Sequence, residues 1–358
     1  MTNTPRKDRI IAMMQSRLRT LKKGDPVSPP IISTAKYVLP GEPDTPYIYG
    51  RYANPTVETA EEALACLEGA PALAFPSGMA AILAAIFATT KPGDRILVPS
   101  DGYYNVRALL DEFLSERGLS VDMAATREVA HADLSAYEMV WLETPSNPGL
   151  DICDIKKVAE AMRDTNGYLV VDNTTLTPLL QDPLSLGADM VVSADTKAMS
   201  GHSDLLFGHL ASQNEELMER ARSWRRLSGS IAGPWEAYLL HRGLMTLELR
   251  LERMCTNAAA IHKAVEPLVS SRAPLLGLKY PDIGFVMGLT FETAETAERF
   301  IDTCPSLLPA TSFGGVHSSA ERRARWGDDV EEGYVRLSVG CEPEDLLVEA
   351  ILKALHDL

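Results

Sequence analysis

The chain of 358 residues is 46% hydrophobic, enough to bury a sizeable core, and its length suggests about two domains. A formal net charge of −15 argues against nucleic acid as the main partner, because neutralising phosphates takes a surplus of Lys and Arg; small metabolites are the expected ligands. The five cysteines, Cys66, Cys153, Cys255, Cys304 and Cys341, are odd in number and form no C-x-x-C pair, so neither a disulfide framework nor a zinc site is expected.

In chain order, Arg6 to Met14 with Arg17 to Lys23 reads as one amphipathic helix ended by Gly24 to Pro26, its basic face a solvated one beside a partner subunit. Residues 1–23 hold no apolar segment that would serve as a secretory signal, and the longest apolar run, Met79 to Ala88, is too short to cross a bilayer. A cytoplasmic protein with no membrane partner is the expectation. From Pro26 to Pro46 prolines recur without any period, which predicts an extended arm.

The chain then alternates. Helices are predicted over Val57–Glu68, Gly78–Thr89, Tyr104–Arg117 and Ile155–Asn166, and strands over Ala72–Phe75, Arg95–Val98, Val140–Glu143, Tyr168–Val171 and Met190–Ser193. This is the pattern of an α/β fold with a mainly parallel sheet, whose strands are short apolar runs because both faces are buried. Ligands of such sheets sit at the carboxyl ends of the strands. From about Arg242 a long helix through Ala264, a strand Phe285–Phe291, a helix Thr296–Thr303 and a strand Tyr334–Val339 suggest a smaller α+β domain. The expected organisation is an arm over 1–46 for subunit contacts, a ligand-binding domain over 47–255 and a C-terminal domain over 256–358.

Lys197 follows the Met190–Ser193 strand, and Asp172 ends the strand before it. A lysine that acts as a nucleophile near neutral pH must be held unprotonated. Pyridoxal phosphate takes a lysine for its aldehyde and an aspartate for its pyridinium nitrogen, which makes Lys197 and Asp172 candidates. Taken alone, Lys197 reads more readily as a snorkelling surface residue, and the surrounding stretches are what change that. Ser77, Gly78 and Met79 open a helix after a strand, either as an anion site for a phosphate or as a simple N-cap. Tyr103 lies beyond the Arg95–Val98 strand, placed to stack on a flat ligand or to join the core. Asn147 follows a strand end where prolines turn the chain, leaving its amide free for a ligand oxygen. Tyr49 and Arg51 belong to the arm, where an Arg fork matches a phosphate and can reach a neighbouring subunit; Arg336 is a second fork, for a carboxylate.

The stretches Tyr49 to Thr56, Ser77 to Met79, Pro145 to Pro148, Val171 to Thr174, Thr196-Lys197, Gly201 to Asp204 and Leu337 to Gly340 occur in one order, from about Tyr47 to Leu347. In this the chain resembles the Cys/Met-metabolism, or transsulfuration, family of pyridoxal-phosphate enzymes of fold type I. The resemblance implies that Lys197 links to the cofactor and shuttles protons, that Asp172 keeps the ring nitrogen protonated and that Tyr103 stacks on the ring. It implies that Ser77, Gly78, Met79 and Thr196 hold the phosphate, with Tyr49 and Arg51 reaching in from an adjacent subunit, so that a dimer is obligatory and a homotetramer usual. Asn147 and Arg336 would bind the substrate carboxylate, Asn147 also the ring hydroxyl, and Ser312 would lie beside Lys197.

Departures from the family pattern are expected to bear on substrate specificity, while Ala194 in place of Ser removes one phosphate hydroxyl and lowers the expected cofactor affinity. Ala194 stands where Ser is common, Ala198 where Tyr is usual, Tyr104-Asn105 where a Gly pair is usual and Phe313 where Leu is common, while His317 replaces a Glu near the substrate's far end. The stretches Leu276–Gly284 and His317–Gly333 are shorter than usual. His202 is expected to be structural in the turn after the lysine; His317 is left open.

The expected activity is γ-elimination from cystathionine, giving cysteine, 2-oxobutyrate and ammonia. The alternatives are β-elimination to homocysteine and pyruvate, towards which Phe313 leans, and γ-replacement on an acylated homoserine. A cofactor-binding protein without turnover is a remote alternative, opposed by the intact Asp172, Tyr103, Lys197 and Arg336. A nicotinamide-binding fold is disfavoured because no Gly-x-Gly-x-x-Gly follows the first strand.

Overall fold

The structure is a computed structural model that describes residues 4–270 and 274–358. Residues 1–3 of the expected arm and 271–273 of the expected C-terminal domain lie outside it. The apolar runs of the first half form the strands β1 (Ala72–Phe75), β2 (Arg95–Pro99), β3 (Ser120–Ala124), β4 (Met139–Glu143), β5 (Tyr168–Asp172), β6 (Met190–Ser193) and β7 (Gly208–Ala211). They make one seven-stranded sheet in the order β1-β7-β6-β5-β4-β2-β3. Pairing is parallel from β3 through β6, and β7 alone runs against its neighbours β1 and β6. Separate apolar clusters cover the two faces, one around Phe75, Ile86 and Trp141, the other around Val140, Leu142 and Val158. That double burial is why β1, β4 and β6 read as unbroken apolar runs.

The second sheet contains β8 (Leu275–Lys279), β9 (Val286–Phe291), β10 (Leu308–Pro309), β11 (Ser319–Arg322) and β12 (Tyr334–Ser338), in the order β10-β11-β12-β9-β8. The helices Pro55–Glu68, Pro234–Leu244 and Leu247–Val265 share one core with this sheet, through Leu64, Leu240, Leu251, Phe285 and Leu337. The helix Leu247–Val265 runs through the expected boundary at 255/256. Among the described residues no helix is long and apolar enough to cross a membrane.

Three expected helices break where local groups compete with the backbone. The first ends at Gln15, with a separate single turn at Leu18–Thr20. There the Ser16 hydroxyl donates to the Met13 carbonyl at 2.9 Å, and Arg17 turns to donate to the Pro26 carbonyl at 2.8 Å. Tyr104–Arg117 is helical only over Tyr104–Leu109, then widens and tightens before Gly118 (φ 92°) ends it. The long helix expected from Arg242 is two helices that meet at Met245-Thr246. The arm has no helix or strand between Leu21 and Asn54 beyond one bridge, Lys36 to Tyr49. Asn54 ties it down by donating to the Ile32 carbonyl at 2.8 Å while capping the next helix.

Candidate active site

The carboxyl ends of β4, β5 and β6 meet the second sheet at a cavity of about 430 Å³. Every candidate residue except Tyr49 and Arg51 lines it.

Lys197 sits in a tight turn after β6, where its N–H donates to the Ala194 carbonyl at 3.1 Å and its own carbonyl accepts from Gly201 at 2.9 Å. Arg250 holds the far side of that turn by donating to the carbonyls of Ala198 (2.6 Å) and Met199 (3.1 Å). A Cβ at Gly201, whose φ is +74°, would lie 2.0 Å from the Arg250 guanidinium, so only glycine fits there. The Lys197 Nζ donates to the Ser312 hydroxyl at 2.6 Å and stands 5.1 Å from the Phe313 ring centre. Burial, helped by the charges of Arg336 and Arg323, pushes this amine down to about 8, within reach of a nucleophile at neutral pH.

Asp172 ends β5 buried, its Oδ1 accepting from the Thr174 N–H at 3.0 Å and the Thr174 hydroxyl at 2.5 Å. That hydroxyl in turn accepts from the Ala194 N–H at 2.8 Å, so one threonine joins the aspartate to the lysine turn. Burial pushes the Asp172 carboxyl up, while the Thr174 donors and the charges of His209 and Lys197 pull it down. The Tyr103 hydroxyl accepts from Asn105 at 2.8 Å and its N–H donates to Glu143 Oε2 at 2.6 Å.

Ser77 is indeed the N-cap of the helix Gly78–Thr89, accepting from the Ala80 N–H at 3.1 Å. The N–H groups of Gly78 and Met79 are left without intrahelical partners, so the cap and an anion site coexist. A Cβ at Gly78 would lie 2.6 Å from the Ala194 Cβ, and one at Gly208 2.7 Å from the Gly78 Cα, so this cradle closes without room for larger side chains. The Thr196 hydroxyl is already engaged, accepting from the Phe207 N–H at 3.0 Å and donating to its carbonyl at 3.2 Å.

On the other wall Arg336 of β12 donates to Asn147 Oδ1 at 2.6 Å, the Ser312 carbonyl at 3.0 Å and Glu321 Oε2 at 3.2 Å. Burial and the neighbouring Arg323 lower it to about 10, so it stays charged at neutral pH. Ser312 is held at φ 79°, a conformation uncommon for a residue with a Cβ, and from there its hydroxyl meets Lys197 while its carbonyl meets Arg336. The Tyr334 hydroxyl fixes the Asn147 turn by donating to the Pro148 carbonyl at 2.8 Å.

Tyr49 and Arg51 lie away from this chain's cavity, with Arg51 donating to the Arg226 carbonyl at 3.0 Å. His317, left open by the sequence, is exposed and is not among the residues that line the cavity. His202 is also exposed, its Nδ1 2.6 Å from the Ser200 carbonyl oxygen. Sequence reasoning assigned nothing to the Glu143 side chain, Arg323 or Trp326, all of which line the cavity. Glu143 had a signal, since an acid at a strand end stands level with Asp172 on the next strand. Arg323 had none, because it follows β11, a strand too polar to be read from the sequence.

Residues 12–271 match the family described as Cys/Met metabolism PLP-dependent enzyme. A Streptomyces coelicolor protein provisionally named as a cystathionine gamma-lyase is 41% identical over 361 residues, covering 94% of this chain and 90% of that protein. An L-methionine gamma-lyase of Treponema denticola is 33% identical, covering 87% of this chain and 86% of its own. The crystal structure of a cystathionine gamma synthase from Xanthomonas oryzae pv. oryzae, in complex with cystathionine, superposes with a TM-score of 0.89 at 30% identity, covering 99% of this chain and 98% of that one.

Proposed function

This chain belongs to the Cys/Met-metabolism family of PLP-dependent enzymes, and from that premise we propose that it is a carbon–sulfur lyase that eliminates at the γ-carbon of cystathionine. The products are cysteine, 2-oxobutyrate and ammonia, with water consumed. The observation that carries this reading is the meeting of Lys197, Asp172, Tyr103, Asn147, Ser312 and Arg336 on one cavity. The choice of cystathionine leans on the relative at 41% identity.

The residues fit the family's cofactor. The open N–H groups of Gly78 and Met79, in a cradle that a Cβ would fill, suit its phosphate, and the buried Asp172 carboxylate suits its ring nitrogen. Pyridoxal phosphate, when bound, supplies an aldehyde that captures amines and a ring that draws electrons from the α-carbon of the captured amino acid. Tyr103, on the cavity wall, would cover the ring. Arg336 and Asn147 grip the α-carboxylate and so fix the direction of the α-C–H bond. Lys197 Nζ, unprotonated once above about pH 8, takes the α-proton and then serves the second proton shift at the β-carbon, after which the thiolate leaves from the γ-carbon. Ser312 steadies Nζ between these steps.

In this reading Tyr49 and Arg51 serve the phosphate of a neighbouring subunit. Their distance from their own cavity supports a shared site, and the working form is a cytoplasmic dimer or tetramer. A second reading, γ-replacement on an acylated homoserine, is favoured by the likeness to a synthase crystallised with cystathionine. Product analysis on the cofactor-loaded protein with L-cystathionine decides between them. Cysteine with 2-oxobutyrate is the expected result; homocysteine with pyruvate moves the chain to the β-lyases, and no product with cystathionine but turnover of an acylated homoserine with cysteine makes it a synthase.

A further inference from the structure

Glu143 is a buried ionisable group on the cavity wall that the proposed reaction leaves without a task. It ends β4 as Asp172 ends β5, the two pair in register, both are 6% exposed and both line the cavity. Their surroundings differ sharply. Asp172 receives an N–H and a hydroxyl from Thr174 and faces the positive charges of His209 and Lys197. Glu143 receives one protein hydrogen bond among the described residues, from the Tyr103 N–H at 2.6 Å. The charged groups that face it are Asp172 on β5, Asp101 in the turn after β2 and Arg107 on the helix Tyr104–Leu109, so carboxylates outnumber cations. Two carboxyls in one dry pocket cannot both ionise cheaply, and the one with fewer donors keeps the proton. Burial and the Asp172 charge accordingly push Glu143 well upward, against the smaller pull of the Tyr103 N–H and Arg107.

We propose that Glu143 is a positioning residue that works as a neutral carboxylic acid, anchoring the Tyr103 backbone beneath its ring and leaving the negative charge of the floor to Asp172. The contact is close-fitted, since a Cβ at Gly102 would come within 3.0 Å of Glu143 Oε2. The inference rests on the reading of Asp172 as the partner of the ring nitrogen and of Tyr103 as the stacking ring.

The test compares Glu143→Gln, Glu143→Asp and Glu143→Ala in the cofactor-loaded protein. Gln has the shape of the neutral acid and keeps an acceptor for the Tyr103 N–H; Asp keeps the acid but withdraws it by one methylene. Cofactor affinity, read by the visible band during dialysis, is expected to follow Gln, then Asp, then Ala, with at least a tenfold gap between Gln and Ala. An infrared carboxylic-acid band present in the parent at pH 7 and absent from the Gln variant is the second expected result. The third is in stability. A carboxyl raised in the folded state keeps a proton that the unfolded chain releases above its ordinary value, so the parent loses stability relative to Gln as pH rises above the ordinary glutamate range. Gln falling with Ala, equal affinity in all three, a missing carboxylic-acid band or a stability difference flat with pH each overturns the proposal. An unchanged visible spectrum in Asp172→Asn would instead sink the cofactor reading, leaving the infrared and stability results to be judged by themselves.

Discussion

The floor of the cavity and its arginine wall handle charge in opposite ways. At the ends of β4 to β6, burial pushes Lys197 down to about 8 and pushes Asp172 and Glu143 up, Asp172 against the pull of its Thr174 donors and Glu143 with one hydrogen-bond donor among the described residues. On β11 and β12, Glu321 accepts from Arg323 at 2.7 Å, Trp326 at 2.6 Å, Arg325 at 3.1 Å and Arg336 at 3.2 Å, while Arg323 also grips Asp328 at 2.6 Å. Burial alone would raise Glu321, yet these donors hold it below its usual range. The difference separates two tasks. Proton transfer needs an amine poised near neutrality, so Lys197 is left under-partnered on the floor; recognition of a carboxylate needs a cation that never changes state, so the wall is over-partnered.

That contrast breaks first at Lys197. Lys197→Ala is expected to lower turnover by at least about 10³-fold, within the range for a lost acid–base group, and to remove the visible band of covalently held cofactor. Lyase activity retained in that variant would end the assignment of the floor. On the wall, Arg336→Ala is expected to weaken amino-acid binding by about 2–4 kcal/mol, seen as a raised KM with a smaller change in kcat. Unmoved saturation would reject the carboxylate role. Between the two regions, Ser312→Ala deletes one hydrogen bond to Nζ and is expected to cost about 1 kcal/mol in turnover, a several-fold effect. The floor also carries a pH signature. Because Lys197 must be unprotonated to bond the cofactor, capture by the apoprotein should speed up about tenfold per pH unit below 8 and level off above it. A flat profile from pH 6 to 9 would mean that the amine is not the group that reacts.

The floor was the legible half of the molecule. Asp172 ends one apolar strand and Lys197 lies in the turn after the next, and such runs announce themselves because both sheet faces are buried. Ser77 to Met79 and Asn147 likewise sit where a strand yields to a turn. The wall stayed hidden because its pairing is long-range. Ser319-Ala-Glu-Arg322 reads as a polar loop, and nothing local tells that Glu321 will face Arg336 in register and draw Arg323 into the cavity. The polar edge strand β3 and the short β7, opened by Gly208-His209, escaped notice for a related reason, since neither offers an apolar run. The helices failed at their ends, where Arg17 turns to the Pro26 carbonyl and the Thr246 hydroxyl donates to the Gly243 carbonyl at 3.3 Å, local contacts that periodicity does not announce.

The most direct test of the account is to reduce the cofactor-loaded protein with borohydride, digest it and map the modified lysine by mass spectrometry. The account expects the added mass on the peptide that contains Lys197 and on no other. Modification of a different lysine, or a protein that holds no reducible cofactor, would contradict it.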